Sequence, residues 1–157
     1  TRKESSAASD VYKRQAFGFV VANNASISGA AGGCQAEVGS AAAMAAAATV
    51  EMAGGTPQQS AEAFAICMKN MLGLVCDPVA GLVEVPCVKR NAAGASNAIV
   101  SADMALAGVS SRIPTDEVIF AMYRIGQTMP SALRETGRGG LAGTPTGQRL
   151  KQQIFGD

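Results

Sequence analysis

An all-α fold is predicted for this chain of 157 residues, and three observations predict it. Apolar residues recur at helical spacing in several segments, helix-start signals precede those segments, and strand alternation is absent apart from a brief "VEV". Alanine and glycine are abundant while aromatics make up only 4%. Helices rich in small residues approach one another closely, which suits a compact helical core. The length fits one domain that buries about two-thirds of its unfolded surface.

The opening "TRKESSAASDVYKRQ" is polar, charged and unlike the apolar texture that follows. We read residues 1–15 as a non-native or disordered segment and 16–157 as the domain. From Phe17 to Gly33 helix signals are few, and "NNASISGAAGG" reads as loop. A helix built largely of alanine fits 36–53, closed by Gly54 and Gly55. The next starts at Thr56 as N-cap with Pro57 at the first helical position, and runs to about 75. Ala61, Phe64, Met68, Leu72 and Val75 share one of its faces. Two prolines break "CDPVAGLVEVPCVKRNAAGA", which reads as loop with short helical turns, and a helix fits 95–108. Thr115 opens another, with Asp116 and Glu117 in its first turn complementing the helix dipole and Val118, Met122, Ile125 and Met129 as its stripe. "SALRETGRGGLAG" reads as a short helix running into a glycine loop. Thr144 and Pro145 then start a terminal helix to about Ile154. The methionines at 44, 52, 68, 71, 104, 122 and 129 fit the stripes and read as core.

A net charge of +1 gives no electrostatic case for nucleic acid, and stacking platforms for bases are lacking. The longest apolar run, "AAAMAAAATV", is far short of the roughly 20 residues that span a bilayer. The chain has no histidine. Within it, Ser-His-Asp catalysis, Cys-His catalysis and His-containing zinc sites are therefore excluded. Four cysteines without a signal-peptide pattern point to a reducing, cytoplasmic setting, where cysteines serve metals or catalysis more often than disulfides.

The four cysteines differ in kind. Cys67 lies within "AFAICMKN", beside Phe64 and Met71, and reads as a small buried hydrophobe. Cys34 follows Gly32-Gly33, Cys76 precedes Asp77-Pro78, and Cys87 follows Pro86; each stands at a break in the helical pattern. Their spacing leaves metal, cluster and structural roles open, because no C-x2-C pair marks a zinc ribbon or ferredoxin loop. Chemically, three thiolates can hold three irons of a four-iron cluster. The fourth iron then lacks a protein ligand and can act as a Lewis acid on a substrate oxygen.

Three stretches carry a resemblance: "NASISGAAGGCQAEVGSAAAMAAAA", "GLVCDPVAGLVEVPCVKRNAAGASNAIVSADMALAG" and "ALRETGRGGLAGTPTG". They resemble the catalytic α part of the iron–sulfur-dependent L-serine dehydratases (L-serine ammonia-lyases), over about Asn23 to Phe155. The closing motif is closer to the separate α subunit of the two-subunit type. The resemblance implies a lyase whose helical catalytic domain carries cluster ligands on glycine-rich loops. It implies a [4Fe-4S] cluster on Cys34, Cys76 and Cys87, with no pyridoxal phosphate. L-serine would lose an α proton and its β-hydroxyl, and the aminoacrylate would tautomerise and hydrolyse to pyruvate and ammonia. Serine degradation and gluconeogenesis are the processes implied.

The family's α part also has an upstream portion, and its β subunit or β domain contributes a Ser-Ser-His-Thr-like loop. The chain thus reads as a fragment, expected to be inactive alone and to assemble as an oligomer. Other readings are an L-cysteine desulfidase of related architecture and a non-catalytic iron–sulfur or zinc protein. For substrate binding, the resemblance places Asn23, Asn24, Ser26 and Ser28 near the cluster. Lys89, Arg90 and Asn91 follow Cys87 after Val88, where a cation and an amide can stabilise thiolate charge or hold a carboxylate. Arg134 and Arg138 flank the "RGGLAG" loop, which reads as a structural turn before an anion grip.

Overall fold

The computed structural model describes residues 2–156, and for residues 2–11 and Lys13 the backbone alone. The reading of residues 1–15 as non-native or disordered falls for the most part on side chains outside the described residues. Seven α-helices make up the described fold: α1 (Arg2–Asn24), α2 (Gly29–Gly32), α3 (Ser40–Met52), α4 (Pro57–Lys69), α5 (Cys87–Leu106), α6 (Thr115–Thr128) and α7 (Pro145–Phe155). Among the described residues there is no strand, and one isolated bridge pairs Cys76 with Arg134. The fold is all-α, as predicted. Among the described residues, no helix is long and apolar enough to cross a membrane.

Helix α3 is the hub. It packs against α1, α4 and α5, and Ala42, Ala43, Ala46, Ala47 and Ala48 along it are buried. Alanine brings little apolar area per residue but lets three neighbours approach the same axis. The bulk is supplied from outside the hub: Phe64 and Met68 of α4 and Ile119 and Met122 of α6 are all fully buried. Phe17 of α1 stacks on Phe64 with ring centroids 4.9 Å apart. The α4 start is capped as the sequence predicts, and more completely. Thr56 Oγ1 accepts from the Gln59 amide while the Gln59 side chain accepts from the Thr56 amide, a reciprocal capping box.

Several boundaries differ from expectation. Phe17 to Asn24 is helical, the last part of α1, and only 25–28 remains a connection. The polar residues that suggested a loop sit at the helix C-terminus, where Asn23 and Asn24 turn their amides back onto Phe19 O and Val20 O. Helix α4 stops at Lys69, so Leu72 and Val75 lie beyond it; Gly73, at φ +83°, ends the turn that follows. Helix α5 starts at Cys87 instead of about 95, because Pro86 is a helix-entry residue there rather than a breaker. "SALRETGRGGLAG" forms two single 3-10 turns, Ser131–Leu133 and Gly140–Gly143, in place of a short helix. Met52 and Met104 are exposed rather than core.

Candidate metal centre

Cys34, Cys76 and Cys87 are all buried, and all are free thiols. They come from three different kinds of backbone. Cys34 opens a single π-helical turn, Gln35–Gly39, that leads directly into α3. Such turns are uncommon and favour functional sites. The preceding Gly33 has φ +78°. A Cβ there would stand 2.6 Å from Met129 Sδ and 2.9 Å from Leu74 O, so only glycine fits. Gln35, fully buried, locks the turn in place. Its amide donates to Gly32 O (2.9 Å) and Met122 O (3.0 Å) and accepts from the Gly73 amide (2.9 Å).

Cys76 sits in extended chain, with both backbone groups held by the segment that resembles "ALRETG". Its N–H donates to Leu133 O at 2.9 Å, and its C=O accepts from the Glu135 amide at 2.8 Å. Cys87 is the first residue of α5, where unpaired amides and the helix dipole favour a thiolate. Of the three ligand candidates, Cys34 and Cys87 thus stand at helical N-termini and only Cys76 on a loop. The glycines expected as a loop before Cys34 form the short helix α2, Gly29–Gly32, with Gly33 alone as the link.

One clasp ties these elements together. Asp77, only 3% exposed, accepts from Arg90 Nη1 at 2.7 Å through Oδ1 and from the Leu141 amide at 2.7 Å through Oδ2. Arg90 also donates to Val75 O at 2.8 Å. Its guanidinium lies beside Cys34, where its charge opposes the effect of burial. The "RGGLAG" loop thus grips Asp77 through the Leu141 amide. Gly140 makes this possible: at φ +59°, a Cβ there would come within 2.6 Å of the Asp77 Cβ.

Burial pushes all three thiols above their ordinary pKa. Cys76 is pushed furthest, to about 12, because the charges of Cys34, Glu135, Glu37 and Cys87 add to desolvation and no cation opposes them. Arg90 partly offsets the shift at Cys34 and Cys87. Mutual electrostatic influence places the three sulphurs in one neighbourhood. Gly29 borders it, where a Cβ would meet Cys76 Sγ at 3.0 Å and Glu37 Oε2 at 2.9 Å. Among the described residues, no group of three or more Cys, His, Asp or Glu side chains is drawn close enough to hold a single metal ion. A polynuclear cluster takes its thiolates wider apart than one ion does. The donor set, three soft thiols with a guanidinium beside them, fits an iron–sulfur cluster in ligand type and number.

The other sequence candidates divide. Arg90 stands with the thiols. Lys89 and Asn91, on the same first turn of α5 and not on a surface loop, are exposed. Asn91 lines a cleft of about 390 Å³ with Glu37, Val38 and Gly94. Asn23 and Asn24 are committed to α1, and Asn24 lines a separate cleft with Asp116 and Phe120 that no cysteine borders. Ser26 Oγ accepts from the Ser28 amide, which is turn chemistry, although Ser28 directly precedes Gly29. Arg138 is exposed. Arg134 reaches Ala31 O at 3.5 Å, and its Nε is buried without a partner. Three contributors were missed in the sequence: Gln35, Glu37 and Asp77. Asp77 and Gln35 adjoin cysteines, and Glu37 stands three residues after Cys34, one turn along if that segment is helical.

Cys67 is separate. It is fully buried within α4, with its sulphur accepting from Asn97 Nδ2 at 3.2 Å and burial pushing its pKa up to about 11. Cys67→Ala is expected to cost on the order of 1 kcal/mol and to leave the other three thiols in place. The raised pKa adds a pH signature. Stability from this group is fully present below the unfolded thiol value, near 9, and is lost as pH rises from there towards 11. Urea denaturation of the metal-free chain at a series of alkaline pH values should show a shallower decline for Cys67→Ala.

An all-helical fold that gathers three buried thiols and a guanidinium at the junction of α2, the π-turn and α5 defines a cysteine-lined helical protein. Residues 11–142 match the family model for the serine dehydratase alpha chain, and the chain belongs to that family. It is 83% identical over 141 residues, 90% of its length, to the Bacillus subtilis (strain 168) protein named "Probable L-serine dehydratase, alpha chain". It is 59% identical over 139 residues to the "L-serine dehydratase, alpha chain" of Peptoniphilus asaccharolyticus, and 50% identical over 139 residues to "L-serine dehydratase 1" of Escherichia coli (strain K12). The matches cover 47%, 48% and 31% of those proteins respectively, so the chain spans about half the length of the first and second.

Proposed function

We propose that this chain is the cysteine-bearing part of an L-serine dehydratase α chain, converting L-serine to pyruvate and ammonia together with a β subunit. The observation that supports the reading best is the convergence of Cys34, Cys76 and Cys87 beside Arg90. In this reading those three thiolates hold a [4Fe-4S] cluster, which supplies Lewis acidity towards a substrate oxygen. Arg90 balances part of the thiolate charge, and Asp77 keeps the guanidinium directed at Cys34. The π-turn and the N-terminus of α5 orient Cys34 and Cys87. Gly29 lets the backbone of α2 come up against Cys76, and Gly33 lets the turn before Cys34 pass Met129 and Leu74. The chain has no histidine, so a proton acceptor for the α carbon is another type of side chain here or comes from another part of the enzyme. A cytoplasmic setting and a role in serine degradation and gluconeogenesis belong to the same reading.

The test is anaerobic reconstitution of the complete α and β enzyme with iron and sulfide. Serine and cysteine are then offered as substrates, with pyruvate formation and the visible and electron paramagnetic resonance spectra as readouts. Pyruvate from serine, with a spectral change on serine addition, is expected. Preference for cysteine with sulfide release would make the enzyme a desulfidase. A cluster or zinc site indifferent to both amino acids would make it non-catalytic.

A further inference from the structure

Glu37 stands out as a carboxylate with no stated task. It lies on the π-turn between Cys34 and α3, and its negative charge acts on all three thiols. Oε2 and Cys76 Sγ stand 2.9 and 3.0 Å from the same point, the place where a Gly29 Cβ would be. The side chain is nevertheless exposed, and it lines two clefts. One, of about 520 Å³, lies between α1 and α3, and the other, of about 390 Å³, between α3 and α5. Among the described residues no hydrogen bond or ion pair is made by this carboxylate. The nearby guanidinium of Arg90 is taken up by Asp77, Val75 O and Cys34.

Electrostatically this is the wrong place for a spare carboxylate. The carboxylate stands beside three buried thiols, and its charge adds to the cost of ionising each of them. The arrangement becomes favourable once a cation from outside sits between Glu37 and the sulphurs. We infer that Glu37 binds the α-ammonium group of an amino-acid substrate, fixing its orientation at the cysteine site. This deepens the proposed function and rests on it. A small zwitterion would meet Glu37 with its ammonium while its oxygens lie on the side of Cys76, the thiol that shares the Gly29 contact point with Glu37. The site would then select amino acids over hydroxy acids of the same length.

The experiment uses the complete, reconstituted enzyme and its Glu37→Gln and Glu37→Asp variants. Iron and sulfide content and the resting spectrum are measured first, then dissociation constants for L-serine and for 3-hydroxypropanoate, the same skeleton without the amino group. Glu37→Gln should retain the cluster and lose serine affinity by on the order of 10- to 100-fold, as expected for removing one charge-assisted hydrogen bond. Affinity for 3-hydroxypropanoate should hold or improve, and Glu37→Asp should recover part of the serine affinity. Equal weakening of both ligands, no weakening of either, or loss of the cluster in Glu37→Gln would each overturn the assignment. Wild-type enzyme that takes up the cluster but ignores serine would instead overturn the proposed function, and this inference with it.

Discussion

Serine in place of Cys76 is expected to abolish the cluster, and with it the activity, of the complete enzyme. An alcohol oxygen is a hard, weakly acidic donor where a soft thiolate is required. Cys76 is also the ligand candidate with the least help from its surroundings. Burial and neighbouring negative charge push its thiol up to about 12, and no guanidinium or helix start favours its ionised form. In the proposed reading, ligation is what removes its proton. Cys34→Ser and Cys87→Ser should act in the same direction, while Cys67→Ala leaves cluster content near the wild-type level. Iron content and visible absorbance of the four variants, reconstituted anaerobically, make the comparison. Full iron content in Cys76→Ser, or loss of the cluster in Cys67→Ala, would refute the ligand assignment.

Asp77→Ala should do the most damage among changes that leave every thiol in place. The substitution strips the acceptor from the Leu141 amide and from Arg90, which is 17% exposed and so only partly able to recruit water. Breaking a buried pair on one side costs about 3–5 kcal/mol. Discounted for the exposure of Arg90, a loss of about 2–3 kcal/mol is expected. The 139–143 loop would come loose from the Cys76 segment, and Arg90 would no longer be held against Cys34. Urea midpoints of the metal-free chain measure the first effect, and iron retention on dilution of the complete enzyme measures the second. Asp77→Asn keeps an acceptor for Leu141 and should fall between the two. A midpoint for Asp77→Ala indistinguishable from wild type would show that the clasp is dispensable.

How much of this was legible in the sequence depended on how local each signal was. The α4 start could be read because Thr56 and Pro57 are neighbours in the chain; the part played by Gln59 three residues on came from the structure. The Thr115 helix and the terminal helix were equally local. Cys67 was separable from the other cysteines because its stripe, with Phe64, is a local pattern. Proline misled at α5. Pro86 ends an extended segment and begins a helix at once, and the tertiary position of Cys87 decides between breaker and start. The reach of α4 was overestimated for a related reason. Leu72 continues the apolar period, but the 73–74 backbone is drawn off to bond with Gln35. Gln35 and Asp77 are connectors between segments far apart in sequence, to Met122 and Leu141 respectively, and no spacing rule carries that information. The substrate candidates Asn23 and Asn24 failed to join the thiols because a helix end offered their amides nearer acceptors.

The approach of α5 to the hub has a bearing on how such a centre can change over time. Gly94 of α5 faces Val38 and Ala42, where a Cβ would stand 3.1 Å from Val38 Cγ1 and 3.5 Å from the Ala42 Cβ. That contact lies about two turns along α5 from Cys87 and about one turn from Cys34. Two of the thiols are therefore mounted at the tips of two rods, and the spacer between the rods is the absent side chain of one glycine. The span between those two thiols is a dimension set by packing, separate from the identity of the candidate ligands. A lineage can adjust the bite of its donor set by altering small residues along the shafts, with every cysteine left untouched.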